Sequence, residues 1–256
     1  MTIKIQPLQI TKPKIKALIY GPPGAGKTVL ISTAQESPDM GDVLVANIDG
    51  GLLSIASSRG ILEAPISSVA DLEDLQAMAA RGAPELANVK TIAVDSGTEI
   101  FEAYMREIAA REHAANPKMR DPIKNEIQDY GEATVRLTRI FRWLRDLPYH
   151  VIVTALDKAD RRVVDTRKKS KQEAEVLAVY PKFPDKLCSA VMATFDFVWY
   201  LAATEDGTRA ILTQPNGVVL AKTRGQKFAK EIGPVVHNPN LAELYATLIR
   251  TESNEP

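Results

Sequence analysis

The sequence lacks most of what would tie a chain to a surface or carry it out of a cell. Of its 256 residues one is cysteine, Cys188, so no internal disulfide can form and a reducing compartment is expected. With Leu187 before it and Ala190 close after, that thiol reads as a buried structural group rather than a nucleophile. Net charge is absent too, since 32 Lys and Arg balance 32 Asp and Glu. A neutral chain has no global field to draw it to a polyanion or a membrane, so any nucleic-acid surface must be a local patch. No apolar run approaches the ~20 residues of a membrane span, and the first residues carry no apolar signal core. These absences predict a cytoplasmic protein with no membrane partner. No internal repeat or linker demands a second domain, and 45% hydrophobic with 25% charged residues is ordinary for a soluble fold. One domain over residues 1–256 is expected, with 1–14 as an arm or edge strand and 251–256 as a frayed tail.

What the chain does have is Gly21-Pro22-Pro23-Gly24-Ala25-Gly26-Lys27-Thr28, the full G-x-x-x-x-G-K-[ST] pattern. The apolar run from Ile15 to Tyr20 reads as a buried strand and Val29 to Ala34 as the opening of a helix, which is the context the pattern requires. The glycines let the backbone curl until its N–H groups face a phosphate. Lys27 is placed to reach the β- and γ-phosphates and the Thr28 hydroxyl to ligate magnesium. Gly21, Pro22, Pro23, Gly24, Ala25, Gly26, Lys27, Thr28 and Val29 are the candidate nucleotide contacts.

Further strands are expected at Asp42–Ile48, Thr91–Asp95, His150–Leu156 and Phe195–Leu201. His150 reads as a boundary residue. Ser68 to Asp71 is a capping box that opens a helix. Other helices are expected over about 98–112, 132–147, from 184 onward, and over 240–249. In the second of these Leu137, Ile140, Phe141 and Leu144 share one face, while Arg136, Arg139, Arg142 and Arg145 read as a solvated one. Arg209–Gln214 and Val218–Lys222 read as a hairpin turning at Pro215-Asn216-Gly217. Strands alternating with helices predict an α/β fold, a mostly parallel sheet flanked by helices with an antiparallel hairpin at its C-terminal edge. Ligand would bind at the carboxyl ends of the strands.

Asp95 closes an apolar strand and is the candidate magnesium carboxylate, with Ser96 capping the next helix. No Glu follows Asp95, so Asp49 is the candidate base for an attacking water, though Asp49-Gly50-Gly51 also reads as a turn. Thr154 ends a strand where it could meet a γ-phosphate, or serve only as a β-branched strand residue. Lys222 and Arg224 alternate onto one side of a strand and suit either a cation offered to a neighbouring subunit's phosphate or a charged edge that resists aggregation. Residues 157–183 read as a basic mobile loop. Between Lys158 and Lys171 the basic residues Lys158, Arg161, Arg162, Arg167, Lys168, Lys169 and Lys171 stand against Asp160 and Asp165, a local excess of five positive charges in a neutral chain.

Together these residues resemble the RecA-like core of phage ATPases, the short RecA-related single-strand annealing recombinases. The likeness rests on the phosphate loop, on Asn47-Ile48-Asp49-Gly50-Gly51 where that family has Asp-x-Glu-Gly-Gly, on Asp95-Ser96, and on Lys222-Thr223-Arg224, and it covers about residues 15–225. It implies ATP and magnesium as cofactors, hydrolysis between subunits of a homo-oligomeric ring or filament, and single-stranded DNA as partner. A separate single-strand DNA-binding protein and the cytoplasm of a bacterial host would fit a phage origin. DNA contact would fall on the basic run at 158–171, with Tyr180 and Phe183 stacking on bases or anchoring the loop, and on a second segment holding His113, Lys118, Arg120 and Lys124. Asp49 is one methylene shorter than the family's Glu, which implies slow hydrolysis or a base elsewhere. The alternatives are a replication motor or loader acting on a protein partner, and a nucleotide switch that does not hydrolyse.

Overall fold

The computed structural model describes residues 12–164, 173–204 and 206–253. In chain order the elements are β1 (Lys16–Tyr20), α1 (Lys27–Ser32), β2 (Asp42–Asn47), β3 (Ile61–Pro65), α2 (Val69–Arg81), β4 (Val89–Asp95), α3 (Gly97–Ala115), α4 (Ile127–Asp146) and β5 (His150–Ala155). There follow β6 (Asp157–Val164), β7 (Glu173–Pro181), α5 (Asp185–Thr194), β8 (Phe197–Ala203), β9 (Arg209–Leu212), β10 (Lys222–Thr223), α6 (Gln226–Ile232), β11 (Val235–His237) and α7 (Leu241–Glu252).

Strand β1 explains the layering. All five of its residues are buried, and a strand's side chains alternate between faces. Leu18 and Tyr20 enter a core shared with α2, α3, α4 and α5, whereas Ala17 and Ile19 enter a second core with α1, α6 and α7. A strand covered on both sides belongs in the middle of a parallel sheet. The order is β11-β9-β8-β1-β5-β4-β2-β3, with β8 to β3 parallel and β9, β11 and β10 antiparallel additions. This is the mostly parallel, helix-flanked layout expected. One strand, β5, separates β1 from β4, so the loop after β1 and Asp95 at the end of β4 share one edge with a gap between them. No helix among the described residues is long and apolar enough to cross a membrane.

The capping box at Ser68 and Asp71 is formed in full. Helix α4 buries Leu137, Ile140, Phe141 and Leu144 as the spacing predicts, each worth about 1.5–3 kcal/mol of removal from water. It starts earlier than predicted and runs through Gly131, because Asp129 accepts from the Glu126 backbone N–H at 2.7 Å and is clamped by Arg120 at 2.6 Å. On its polar side Arg136 pairs with Glu73 and Arg145 with Asp146.

Three expectations change. The C-terminal hairpin is β8–β9, turning at 204–208, whereas the strand after Pro215-Asn216-Gly217 is β10, which lies against the amino half of β8. The strand β3 on the sheet edge and the elements α6 and β11 were not foreseen. Residues 157–183, read as a loop, carry β6 and β7, paired from Asp157↔Pro181 to Val164↔Glu173 as a separate two-stranded sheet.

At the opposite, amino edge, His150 is fully buried and structural. Its Nδ1 accepts the Ile15 N–H at 3.1 Å, and its ring meets Tyr245 edge-on. Burial, with Lys14 and Lys16 adding to it, pushes its pKa down to about 3. A base whose folded pKa lies below its unfolded value takes up its proton preferentially when unfolded, so its contribution is present above the usual value near 6.5 and is lost as pH falls toward about 3. Urea unfolding at pH 7 and pH 5 should show wild type losing stability with a contribution of about 1.4 kcal/mol per pH unit below pH 6.5 from this group. That portion of the slope should vanish in His150→Gln.

Candidate functional site

The phosphate loop spans the turn from β1 into α1, and its glycines are required by their neighbours. A Cβ on Gly21 would lie 2.0 Å from the Leu201 carbonyl oxygen of β8, and one on Gly26, where φ is 96°, would lie 2.3 Å from Arg209 Nε. The loop therefore sits pressed between β8 and the Arg209 side chain. Lys27 folds over it, Nζ donating to the carbonyls of Gly21 at 2.8 Å and Pro22 at 2.9 Å. Burial lowers the Lys27 pKa, opposed by Asp95, Asp157 and Asp49. An ammonium held in this way is matched by an incoming anion.

Asp95 is 3% exposed. Its Oδ2 accepts from Thr28 Oγ1 at 2.7 Å and its Oδ1 from Thr154 Oγ1. Thr154 is fully buried and is not among the residues lining the cavity, and its hydroxyl is held on Asp95. Among the described residues no group of three His, Cys, Asp or Glu side chains could hold a metal unaided. A magnesium ion fits this donor set only in its usual manner, on the Thr28 hydroxyl and Asp95, with phosphate and water oxygens completing the shell.

A cavity of about 370 Å³ opens here, lined among others by Lys27, Thr28, Val29, Asp49, Asp95 and Glu99. Asp49 is exposed, and its Oδ1 accepts the Gly51 N–H at 2.8 Å, closing the turn that the sequence offered as its other role. Glu99 was missed. Ser96-x-x-Glu99 has the spacing of a capping box, which explains Glu99 without a site. Yet here only half the box forms. Ser96 caps the Glu99 N–H at 3.3 Å with no return bond from the carboxylate, which lines the cavity instead. Arg209 was missed as well. It reaches the loop from β9, Nε donating to the Ala25 carbonyl at 3.1 Å, and nothing local in sequence marks it.

Lys222 and Arg224 are not brought to this cavity. They lie beside the start of β8, Lys222 Nζ donating to the Met192 carbonyl at 2.6 Å and Arg224 pairing with Asp196 at 2.6 Å.

The β6–β7 hairpin grows from the cavity rim. Leu156 lines the cavity, its N–H bonds Thr98 Oγ1 at 3.0 Å, and its carbonyl accepts from Lys182 N at 2.8 Å. Tyr20, the residue before the loop, donates its hydroxyl to the carbonyls of Val179 on β7 and Leu220. Arg161 and Arg162 lie on β6, and Lys158 is near Asp185 and over the Tyr180 ring. Arg167, Lys168, Lys169 and Lys171 lie outside the described residues. Tyr180 and Phe183 are both buried, Tyr180 bonded to Asp160 and Phe183 against Phe141, so they anchor the hairpin rather than offer stacking faces. In the second basic segment His113 contacts the Arg120 carbonyl and Arg120 is buried on Asp129, which leaves Lys118 and Lys124 exposed.

Residues 13–225 match the model of a family described as an AAA domain. Among solved structures the chain is similar to the crystal structure of the RadB recombinase, at 16% identity and a TM-score of 0.42, over 81% of this chain and 86% of that one. No curated protein matches.

Replacing Thr154 by Val removes one of the two hydroxyls on a buried carboxylate. Stability by urea unfolding should fall by about 1–3 kcal/mol, and Thr154→Ser should restore most of it.

Proposed function

For a chain that belongs to this AAA-domain family, we propose a magnesium-dependent ATPase with a RecA-like core that assembles on single-stranded DNA and promotes annealing or homologous recombination. One observation carries the reading. Lys27, Thr28 and Asp95 converge on a cavity from whose rim springs the β6–β7 hairpin, whose sequence between Lys158 and Lys171 holds the basic run. Nucleotide and polymer would then meet at adjoining positions of one edge.

In this reading the loop N–H groups and Lys27 hold the triphosphate, while Thr28 and Asp95 hold magnesium, which supplies charge neutralisation at the transferring phosphoryl oxygens when bound. Thr154 fixes the Asp95 carboxylate. Two carboxylates face the cavity as candidates to orient water. Asp49 is engaged by the Gly51 N–H, whereas the Glu99 carboxylate has no hydrogen bond or ion pair among the described residues. Lys222 and Arg224 remain candidates for a neighbouring subunit's site, with Arg224 the more exposed, its side chain 58% accessible.

Lys27→Ala should abolish ATP binding by calorimetry. ATP hydrolysis should rise on adding single-stranded DNA, and Lys168→Glu/Lys169→Glu/Lys171→Glu should remove that rise. Turnover indifferent to DNA would support a motor or loader acting on a protein, and ATP binding without turnover would support a switch. If turnover is found, Glu99→Gln and Asp49→Asn compared side by side identify the base, since loss of a general base costs about 10²–10⁴-fold in rate. The stronger loss is expected for Glu99.

A further inference from the structure

A second hollow adjoins the cavity across Gly26. It encloses about 200 Å³ and shares Gly26, Val29 and Arg209 with the first. Leu30, Leu201 and Pro239 give it aliphatic surface. Its two threonines are already engaged. Thr33 donates to the Leu30 carbonyl at 2.7 Å and accepts the Leu241 N–H at 2.8 Å, and Thr208 donates to Asp206 at 2.8 Å. Among the described residues, two polar side-chain groups of its lining have no side-chain partner there, the Asn238 amide and the end of the Arg209 guanidinium beyond its Nε. They form one rim, because the Asn238 N–H donates to the Arg209 carbonyl at 2.7 Å. Asn238 holds φ at 46°, a left-handed backbone that Asn tolerates better than most side chains.

We propose that this hollow takes the base of the nucleotide and that the Asn238 amide selects adenine. The proposal rests on the nucleotide reading above and adds to it the identity of the base. A base entering here would continue from a triphosphate on the loop, since Gly26 and Val29 belong to both spaces. Aliphatic walls and a guanidinium accept the flat faces of any base. Discrimination needs edge contacts. An amide offers one donor beside one acceptor, which complements the amino donor and ring-nitrogen acceptor that adenine presents side by side. Guanine presents the pair in the reverse order, the O6 acceptor beside the N1–H donor, so an amide oriented to adenine would meet it acceptor to acceptor and donor to donor.

The test is calorimetry with MgATP, MgGTP and magnesium tripolyphosphate on wild type, Asn238→Gly and Asn238→Asp. Glycine keeps the left-handed backbone at ease, and an unchanged melting temperature confirms that the fold is intact. Wild type should bind ATP more tightly than GTP by about tenfold or more, and more tightly than tripolyphosphate. Asn238→Gly should bring ATP down to GTP while tripolyphosphate stays as it was, and Asn238→Asp, which lacks the donor, should also lose the preference for ATP. Equal binding of ATP and tripolyphosphate by wild type would show that no base is held, and an unchanged ATP-to-GTP ratio in Asn238→Gly would remove Asn238 from the assignment. Failure of tripolyphosphate and both nucleotides to bind wild type would instead defeat the nucleotide reading itself, and this proposal with it.

Discussion

One buried carboxylate holds the functional edge together. Asp95 ends β4, and its two oxygens take hydroxyls from Thr28 on α1 and Thr154 on β5. A carboxylate so far from water is tolerable only with such donors, so the three elements cannot shift independently. The sheet order makes the arrangement possible. With β5 between β1 and β4, the phosphate loop and Asp95 stand one strand apart, and Thr28 reaches across that gap. A different order would set Lys27 and Asp95 either in contact or out of reach.

The strand β8 imposes the second constraint. Its Leu201 carbonyl leaves no room for a side chain at Gly21, and β9, folded back on it, delivers Arg209 over Gly26. The loop is thus shaped from outside as well as by its own glycines. The same hairpin carries one wall of the hollow closed by Asn238 and Pro239, so one antiparallel addition at the sheet's edge serves both spaces.

Much of this was legible in the sequence wherever the signal was local. The phosphate loop, Asp95 at the end of an apolar strand, the Ser68 cap and the apolar face of α4 each lie within a few consecutive residues, and each stands where expected. What depended on partners was not legible. β3 is a half-exposed edge strand whose pairing with β2 no short pattern announces. Pro215-Asn216-Gly217 has the chemistry of a hairpin turn, but the turn that pairs strands is at 204–208, where Asp206 binds Thr204 and Thr208. Thr154 stands at the expected edge, but its bond to Asp95 was not legible, because a strand's register does not say which neighbour its hydroxyl meets. Arg209 reaches the loop from 184 residues away, and Glu99 was hidden by a capping pattern that the fold completes only in part.

The Tyr20 hydroxyl bonds the backbone of β7 and of Leu220, and Tyr20 is the last residue before the loop. The rim that would close on a phosphate and the root of the hairpin are therefore joined through one ring. Should filling the loop move that ring, whatever binds the hairpin must feel it in equal measure. Thermodynamic linkage allows no one-way traffic, because a factor by which one ligand tightens the other is returned unchanged. A side chain that belongs to neither site would then set the exchange rate between them.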